Sequence, residues 1–571
     1  MLNGPPREPD DAPQVARLSM QTNFRALALD RETLLVAGIA VAITTYIAFT
    51  LWFLRASVGN PFEVPIFRHL ILFQDFYALL PFIAVLALAL IAPVRALGTQ
   101  VAAWCGRHVW AVAALTTAAL AIGTRIVYHN HPLSMDEYSL LFQSRIFAEG
   151  RLTGQFPPPL LEWLAPPWLF IRMSAETGAV VSSYWPAGSL LLAPFTSLGV
   201  PWLMNPLIGG ATILAMHRLA LALFGAAESA GYVVLLTLAS PAVTINAISY
   251  YSMPAHLLAS ALFVLLVLQP TPPRALLAGL VGSVALALHN PVPHLLFVAP
   301  WILWLALRSD RIRTLGALFA GYLPLCLLLG WGWPYFLDAV TQGSAAVAAS
   351  PAGAGQMLLN RVQSIAWRSR ISLDAQLLGL CKLWIWAVPG LVAVAALGAW
   401  RLRGRQSYWL AMIGSVLLTY LAYFLVRFDQ GHGWGYRYFH AAWLALPLLA
   451  AGATENREGN APLRGYLAGC AVLGCAILTT LSALQVEHFI ARHLSQLPAA
   501  AGGGARVIII DKTTGYYPWD LAQNDPFLRN PVLRLISRNP QLDREMMATQ
   551  FPQYELLASD RRGSVWGIPP R

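Results

Sequence analysis

The chain has 571 residues, of which 57% are hydrophobic and only 11% are charged, and its mean hydropathy is +0.56. Soluble globular domains average about 45–50% apolar and about 25% charged residues, so this composition excludes soluble enzymes, disordered proteins and collagen-like chains and predicts a polytopic membrane protein. The net charge of +11 is almost entirely arginine in short segments between apolar runs, with no basic, aromatic-rich stripe, which argues against nucleic-acid binding.

The apolar runs set the domain organisation. Residues 1–32 contain no early apolar stretch and are predicted to form a cytoplasmic tail, not a cleavable signal peptide. A bilayer core of about 30 Å needs about 20 residues of helix, and thirteen runs are interpreted as spans. They lie near 33–54, 69–92, 109–128, 203–223, 229–248, 253–269, 275–290, 292–308, 314–336, 376–400, 407–426, 437–453 and 465–486. Together they predict an all-α transmembrane domain over 33–486.

The arginines between spans set the predicted orientation. The apolar run at 186–199 is short and begins with a proline, so we interpret it as a helix in the membrane interface. With the N-terminus inside, the short arginine-bearing segments then lie in the cytoplasm; counting 186–199 as a span would move the later ones outside, against the positive-inside rule. These arginines are Arg95, Arg107, Arg218, Arg274, Arg308, Arg311, Arg313, Arg401, Arg403, Arg405, Arg457 and Arg464.

Three regions are then predicted to face the outside: a long loop over 129–202, a loop over 337–375 and a C-terminal domain over 487–571. In the last of these, RVIIID at 506–511 and GSVWG at 563–567 are typical of strands, which predicts a small α/β appendage. The five cysteines form no CxxC pair and lie in or beside apolar runs, which indicates packing residues and no disulfide or metal framework.

The most informative stretch follows the third span and reads RIVYHNHPLSMDEY over 125–138. Asp136 and Glu137 stand there at the start of a helical segment, just beyond the outer membrane edge. Carboxyl groups near a bilayer are costly unless solvated or paired, and a carboxylate in this position can act as a general base toward an acceptor hydroxyl. From spacing alone the simpler interpretation is a helix cap, with Ser134 or Asp136 capping and Glu137 complementing the helix dipole.

Further motifs follow in a fixed order: AEGRL at 148–152, YWPAG at 184–188 and GYRY at 435–438. With the DE pair at 136–137, this succession resembles the GT-C superfamily of polyprenyl-phosphate-sugar glycosyltransferases, in particular the bacterial family related to protein O-mannosyltransferases and to the aminoarabinose transferase of lipid A. The resemblance covers most of residues 109–453. It implies an external DE loop, an interfacial helix, an Arg-Tyr helix start and an outward C-terminal domain.

The chain departs from that family at three places. Two spans precede the one that leads into the DE loop, so the N-terminal hairpin is an addition. Where several relatives have a second acidic residue, this chain reads SMPAH at 252–256, which leaves the second acid and any metal ligand set built on it open. The expected Lys- or Arg-Pro turn reads HNPVPH at 289–294, and Trp185 replaces the first proline of the interfacial motif.

The resemblance implies transfer of a sugar from a polyprenyl phosphate to an acceptor hydroxyl with inversion, with Asp136 and Glu137 as catalytic residues and Asp136 as the base. The leaving lipid phosphate needs cationic or hydrogen-bonding groups, but no general acid. Arg437 ranks first because its planar fork binds two phosphate oxygens; a snorkelling interfacial arginine is the alternative. Further candidates for binding the donor phosphate or substrate are His256, His289, His294, Arg145, Tyr184 and Tyr438.

The histidines and the glycine-rich stretch allow two interpretations each. Histidines spaced i, i+5 across two prolines form no metal-ligand pattern, and each alone is more often an interfacial polar residue. No cofactor is predicted with certainty, and the requirement for a divalent metal is left open. The stretch FDQGHGWG at 428–435 is interpreted as a mobile loop over the donor head group because Asp429, His432 and Arg437 cluster there; a tight connection is the alternative.

The sequence thus predicts a multi-pass glycosyltransferase of the bacterial inner membrane, with its N-terminus cytoplasmic and its C-terminus periplasmic. Its expected partners are membrane lipids, a lipid-linked sugar donor and an envelope acceptor that is a lipid, a polysaccharide or a protein. A transporter or lipid flippase is the alternative, and predicts ionisable groups buried at mid-span with discontinuous helices in paired positions. A non-catalytic envelope scaffold predicts no concave external site.

Overall fold

The computed structural model describes residues 29–164, 170–342, 373–426, 429–455, 461–498 and 504–569. Seven helical stretches in these ranges are long and apolar enough to cross a membrane: Arg31–Ala56, Ile66–Leu88, Val109–Ile126, Pro201–Phe224, Arg311–Thr341, Ser407–Leu425 and Ala461–Leu494. Six shorter apolar helices of 10–17 residues accompany them. The polytopic helical class is therefore confirmed, whereas the count of thirteen spans stays a prediction. Most of the predicted tail 1–32 and loop 337–375 lies outside the described residues.

The first helices are α1 (Arg31–Ala56), α2 (Ile66–Phe73), α3 (Leu79–Leu88), α4 (Ala92–Arg107) and α5 (Val109–Ile126). The long loop that the sequence predicts to be external contains α6 (Met135–Ala148), α7 (Leu161–Leu164), α8 (Ala187–Ser197) and an antiparallel sheet of β1 (Gly154–Gln155), β2 (Ile171–Met173) and β3 (Ala179–Ser182) in the order β1-β3-β2. Helix α8 has 11 residues, about 16 Å at 1.5 Å per residue, which is too short to span, as expected for 186–199.

The remaining membrane helices follow in two groups. The first group is α9 (Met204–Phe224), α10 (Ala227–Leu238), α11 (Pro241–Asn246), α12 (Met253–Val267), α13 (Pro272–Ala287), α14 (Val292–Ala306), α15 (Arg311–Leu325) and α16 (Trp333–Gln342). The second group is α17 (Leu373–Ile385), α18 (Leu391–Leu402), α19 (Ser407–Ala422), α20 (Ala445–Ala453), α21 (Ala461–Gly474) and α22 (Thr480–Leu494). A 3-10 turn over Arg437–Ala442 leads into α20.

The segment between the second and third predicted spans is a packed helix, α4, and not a simple connection. Its arginines and low hydropathy hid it from a search for apolar runs. Small residues let its backbone approach α10 closely: a Cβ on Gly106 would lie 2.2 Å from the carbonyl oxygen of Ala227. Arg95, only 3% exposed, donates a hydrogen bond to the carbonyl of Leu90.

The second predicted span, 69–92, is broken where a buried ion pair forms. Helices α2 and α3 are joined by a 3-10 turn over Asp75–Ala78, and Asp75 Oδ2 lies 3.2 Å from Lys382 Nζ on α17. The side chains of Lys382 and Asp75 are 0% and 1% exposed. Because opposite charges can be buried only when they neutralise each other, this pair ties the N-terminal helices to α17.

We expect Lys382→Met to destabilise the protein by about 3–5 kcal/mol, because it leaves the Asp75 carboxylate buried without a countercharge. Combining it with Asp75→Leu is expected to recover most of that loss, since neither charge remains. Thermal unfolding of the purified protein in detergent measures both effects. Arg308→Gln, which removes an exposed pair with Asp310 at 3.2 Å, is the control and is expected to leave the unfolding temperature unchanged. A single variant as stable as the parent would contradict the structural role of the pair.

The C-terminal domain is a four-stranded sheet with one helix. Strands β4 (Ala505–Ile510), β5 (Leu533–Ile536), β6 (Glu555–Asp560) and β7 (Gly563–Gly567) lie in the order β5-β4-β7-β6, and helix α23 (Pro540–Gln550) lies between β5 and β6 in the chain. Strands β4 and β5 are parallel, and the other pairs are antiparallel. The strands predicted at 506–511 and 563–567 and the α/β class are confirmed. Helix α22 continues to Leu494, past the predicted domain start at 487.

This sheet shares a hydrophobic core with the external loop. Val507 and Ile509 of β4 belong to the same buried cluster as Tyr138 and Phe142 of α6. The Tyr138 hydroxyl donates to the Asn524 carbonyl and accepts the Asn524 N–H at 2.8 Å. The C-terminal domain therefore supports α6, the helix that begins with the two adjacent carboxyl residues.

Candidate active site

One of the two carboxyl groups at the start of helix α6 takes part in capping the helix. Ser134 is the N-cap and forms a capping box with Glu137. The buried Glu137 carboxylate accepts the N–H groups of Leu133 at 3.0 Å and Tyr250 at 2.8 Å. Burial raises the pKa of Glu137 to about 7, although these hydrogen bonds favour its charged form. Glu137 thus joins the start of α6 to the segment at Tyr250 and fixes the backbone of the neighbouring Asp136.

Asp136 lies where three segments meet that are far apart in the sequence. Its Oδ2 accepts both Nη1 and Nη2 of Arg437 at 3.0 Å, and its Oδ1 accepts the hydroxyl of Tyr184. The Asp136 side chain is 18% exposed and that of Arg437 is 6% exposed. Burial raises the pKa of Asp136, but the Arg437 charge and the Tyr184 hydrogen bond outweigh burial, so the pKa lies below its usual value. Asp136 is therefore an ionised carboxylate with restricted access.

Arg437 is held from several sides. Its backbone N–H donates to Gln430 Oε1 at 2.8 Å, and its Nη2 donates to the Gln430 carbonyl at 2.9 Å. The guanidinium lies 4.5 Å from the ring centroid of Tyr251. Gly433 lets the loop close around this side chain, because its φ is +126° and a Cβ there would lie 2.2 Å from Arg437 Cδ. Among the described residues, Arg437 Nε has no hydrogen-bond partner, which leaves part of the fork unused.

Tyr184 connects this pair to the histidines. The ring centroids of Tyr184 and His289 are 4.1 Å apart, and Trp333 Nε1 donates to the Tyr184 carbonyl at 3.0 Å. Burial and the Asp136 charge raise the pKa of Tyr184, so its hydroxyl remains a hydrogen-bond donor. His256 is buried within electrostatic range of His289, and its Nε2 has no partner in the part of the chain that the structure describes. The site therefore extends from Asp136 toward α12.

Two of the sequence candidates lie away from the Asp136 carboxylate. His294 is buried between α14 and α15, where its Nε2 lies 2.7 Å from the Tyr322 hydroxyl. Arg145 lies on α6, the helix that also carries Asp136. It is nine residues further along, which corresponds to a rise of about 13 Å along the helix. The surroundings of His294 are those of a packing residue, and those of Arg145 are those of a residue on a helix surface.

The glycine-rich loop packs over Arg437 and gives Tyr438 a partner of its own. Of the predicted loop 428–435, residues 429–435 are described. The Tyr438 ring stacks on Tyr423 with centroids 4.2 Å apart, and its hydroxyl donates to the Asp429 carbonyl at 2.9 Å. The loop thus builds one wall of the site, and Tyr438 supports that wall.

Asp520 of the C-terminal domain reaches the site and was missed by the sequence reasoning. Its Oδ2 lies 3.1 Å from His432 Nε2, with side chains 4% and 8% exposed, respectively. It also accepts the backbone N–H of Met135, and burial, reinforced by the nearby Asp136 charge, raises the pKa of Asp520. Asp520 stands in no recognisable motif and is nearly 400 positions from Asp136, so no sequence pattern linked the two.

The described part of the chain contains no group of side chains typical of a metal centre. Within the described ranges, no three His, Cys, Asp or Glu side chains are arranged to hold a metal ion. Both Asp136 oxygens are instead engaged by donors, the guanidinium of Arg437 and the hydroxyl of Tyr184. The cation next to the carboxylate is therefore a side chain.

Comparison with known proteins gives a fold-level match. No protein-family model and no curated protein matches the sequence. Among solved structures, the chain is similar to ArnT from Cupriavidus metallidurans bound to undecaprenyl phosphate, with a TM-score of 0.50 and 12% identity over 80% of this chain and 99% of that chain. The apo state of the same protein gives a TM-score of 0.49 and 12% identity over 81% and 98%. ArnT is the lipid A aminoarabinose transferase, a GT-C enzyme. The chain shares the fold of this neighbour.

A likeness at 12% identity shows the fold alone. At the level of the fold, it confirms the resemblance that was drawn from the ordered motifs. The shared fold is a helical membrane domain with a folded loop after an early helix. The roles of individual residues in this GT-C fold rest on the geometry of the site.

Proposed function

We propose that this protein is an inverting glycosyltransferase that moves a sugar from a polyprenyl-phosphate donor to a hydroxyl of an envelope acceptor, at the outer face of the bacterial inner membrane. The proposal rests on the Asp136–Arg437 pair, a partly accessible carboxylate joined to a guanidinium at 3.0 Å. A base and a phosphate-binding cation side by side are what this reaction needs. The neighbour ArnT was solved with undecaprenyl phosphate, a lipid of the proposed donor class.

Asp136 is the proposed general base. The acceptor oxygen attacks the anomeric carbon while the bond from that carbon to the lipid phosphate oxygen breaks, and the hydroxyl proton passes to the Asp136 carboxylate. One such displacement inverts the anomeric configuration. The lowered pKa of Asp136 keeps it ionised at neutral pH, and the hydrogen bond from Tyr184 holds its orientation.

Arg437 is the proposed partner of the leaving phosphate. Its guanidinium bonds Asp136 through Nη1 and Nη2 and keeps Nε without a partner among the described residues. A phosphate oxygen that binds this fork gains a charge-assisted hydrogen bond and stabilises the charge that develops as the sugar leaves. His289 and His256 line the same side, where imidazole N–H groups supply further donors to the phosphate.

Glu137 is the proposed positioning residue. Three backbone N–H groups donate to its carboxylate, and Glu137 is fully buried, so an acceptor hydroxyl has no access to it. In this proposal it holds the start of α6 so that Asp136 meets Arg437, and the base is Asp136 alone.

An apolar groove beside the site suits the prenyl chain of such a donor. It has a volume of about 410 Å³, lies between α8, α9, α12 and α13, and is lined almost entirely by apolar side chains that include Phe195, Ala211 and Ala259. One of the residues that line the groove is Leu288, which directly precedes His289. A lipid chain in the groove therefore places its phosphate near the Tyr184–His289 pair.

We expect Ala259→Trp to fill this groove and raise the KM for a long-chain polyprenyl donor by about tenfold, a loss of about 1.4 kcal/mol of binding, with little change in kcat. A water-soluble donor analogue with a short prenyl chain is expected to be unaffected, because it does not occupy the groove. Steady-state kinetics with both donors measures this difference. Leu303→Trp, on an α14 face that is 61% exposed, is the matched control, and an equal rise in KM for both donors would contradict the assignment.

A transporter or lipid flippase is supported by one observation, the Asp75–Lys382 pair buried among the membrane helices. The two functions are separated by assaying purified protein in detergent, where no compartments exist. We expect transfer of labelled sugar from a polyprenyl-phosphate donor to an envelope extract, with inverted configuration in the product. Lipid movement in vesicles without any sugar transfer in detergent would favour the flippase.

A further inference from the structure

A second cavity lies apart from Asp136, where the N-terminal hairpin (α1 to α3, residues 31–88) meets α22 and the C-terminal domain. Its volume is about 1110 Å³, larger than the groove beside the active site. Its walls come from the external end of the hairpin, from the last turns of α22 and from two loops of the C-terminal domain, represented by Phe62, Gln74, Arg492, Tyr516 and Arg561.

The charged side chains of this cavity are mostly cationic. Arg562 is neutralised by Asp560 at 2.6 Å. Arg492 and Arg561 are exposed, and within the described residues neither forms an ion pair with a carboxylate. The guanidinium of Arg492 lies 5.0 Å from the ring centroid of Phe62. The cavity therefore has two guanidinium groups, those of Arg492 and Arg561, that can bind an anion.

Buried polar groups in the wall also lack partners. Gln74 and His493 both line the cavity and are 8% and 3% exposed. Among the described residues, Gln74 Nε2 and His493 Nε2 have no hydrogen-bond partner. Burying a polar nitrogen without a hydrogen-bond partner is unfavourable, so a polar ligand that pairs with these nitrogens would be stabilised in this cavity.

The cavity lies at the level where the protein leaves the membrane. Helix α22 completes the apolar stretch Ala461–Leu494, and the cavity rim carries exposed aromatic rings, with Phe62 45% and Tyr77 53% exposed. The Arg55 guanidinium lies 4.9 Å from the Tyr77 ring centroid. Exposed aromatic and arginine side chains together are typical of the membrane interface, and the exposed apolar face of α1, with Phe53 64% exposed, continues from this rim.

A row of aromatic side chains separates this cavity from the active site. Phe489, a lining residue, packs edge-on against Trp434 with ring centroids 6.1 Å apart. Trp434 Nε1 donates to the Tyr128 hydroxyl at 2.9 Å, and Tyr128 in turn contacts Glu137. None of Asp136, Tyr184, Arg437 or His289 lines the cavity.

We propose that this cavity binds the phosphate-bearing head group of an anionic phospholipid, with the acyl chains along the exposed apolar face of α1. The two arginine forks bind phosphate oxygens, the amide and imidazole nitrogens bind the remaining head-group oxygens, and the aromatic rim packs on the glycerol backbone. The site is independent of the proposed transferase reaction and uses none of its residues.

The test measures lipid binding to the purified full-length protein in neutral detergent by native mass spectrometry, with phosphatidylglycerol as the probe and phosphatidylcholine as the neutral comparison. We expect phosphatidylglycerol to bind more tightly, and the double change Arg492→Gln with Arg561→Gln to raise its Kd about tenfold or more. Gln74→Leu, which alters no charge, is expected to weaken binding severalfold. Arg544→Gln, on the exposed face of α23 away from the cavity, is the control and is expected to bind normally.

Three results would overturn the proposal. The first is a double variant that binds phosphatidylglycerol like the parent. The second is an equal loss in Arg544→Gln, which would indicate attraction by overall positive charge. The third is displacement of the lipid by inorganic phosphate at the same concentration, which would assign the site to a free anion. Because Asp136→Asn leaves the cavity intact, its lipid binding is expected to be normal whether or not the protein transfers sugars.

Discussion

Replacing Asp136 with asparagine is expected to lower kcat for sugar transfer by about 100- to 10,000-fold, the range for removal of a general base. Asparagine has the shape of aspartate and still accepts the Tyr184 hydroxyl, so the site keeps its geometry but loses the group that takes the proton. The KM for the lipid donor is expected to stay the same or fall, because Arg437 then has no competing carboxylate. Initial rates with a polyprenyl-phosphate sugar, measured on protein that elutes and unfolds like the parent, give both constants.

The pH dependence of the parent enzyme checks the same assignment. The Asp136 pKa is held below its usual value of 3.8, so the carboxylate stays ionised as the pH falls until that lowered pKa is reached. We therefore expect kcat/KM to show no loss attributable to this group between about pH 5 and pH 8. An Asp136→Asn variant with parental kcat would reject Asp136 as the base.

Replacing Arg437 with glutamine is expected to lower kcat/KM by about 100- to 1,000-fold, the usual effect of removing one preorganised group that stabilises developing charge. Two causes act together: the leaving phosphate loses its cation, and Asp136 loses the charge that lowers its pKa. The second cause predicts a distinct signature, because the acid limb of the pH–rate profile should move to higher pH. Steady-state kinetics across pH separates this shift from a simple loss of donor binding.

Arg437→Lys and Arg529→Gln complete this experiment. Lysine keeps the charge but not the planar fork that contacts Asp136 through two nitrogens, so we expect partial recovery of the pH profile with little recovery of donor binding. Arg529, whose side chain is 58% exposed and pairs with Glu149, is the control for removal of an arginine ion pair, and its change is expected to leave the kinetics unaltered. An Arg437→Gln variant with a parental acid limb would contradict the coupling to Asp136.

The sequence was most informative where a local pattern has a local cause. The start of α6 was predicted with Ser134 or Asp136 as the cap, and the structure has Ser134 as the N-cap in a capping box with Glu137. The strands at 506–511 and 563–567 follow from their β-branched and aromatic residues. The short helix at 186–199 follows from its length. Each of these predictions needed only a few neighbouring residues.

The contacts of Asp136 with Tyr184 and Arg437, in contrast, do not follow from neighbouring residues. Hydrogen bonds join positions 48 and 301 residues apart, and no periodicity in a single sequence encodes such a contact. The ordered motifs of a known superfamily pointed to these three residues, and the fold then placed them together. The same separation explains why Asp520 was missed, since no motif marks it.

Buried charge is the other feature that the sequence patterns did not report. A search for uninterrupted apolar runs treats Asp75 and Lys382 as tolerated exceptions, and it treats the arginines of α4 as signs of a loop. In the structure the two charges of the pair neutralise each other at 3.2 Å, and α4 is packed through small residues such as Gly106. Tertiary pairing, which hydropathy does not report, decided both cases.

The core shared by β4 and α6 has a consequence for biogenesis. Tyr138 and Phe142 leave the ribosome more than 350 residues before Val507 and Ile509, which complete their packing. At about 5–20 residues per second, α6 waits roughly 20–70 s for β4, with the apolar side that packs on β4 uncovered. The hydrophobic core around α6 is therefore complete only after the last strands of the chain have docked.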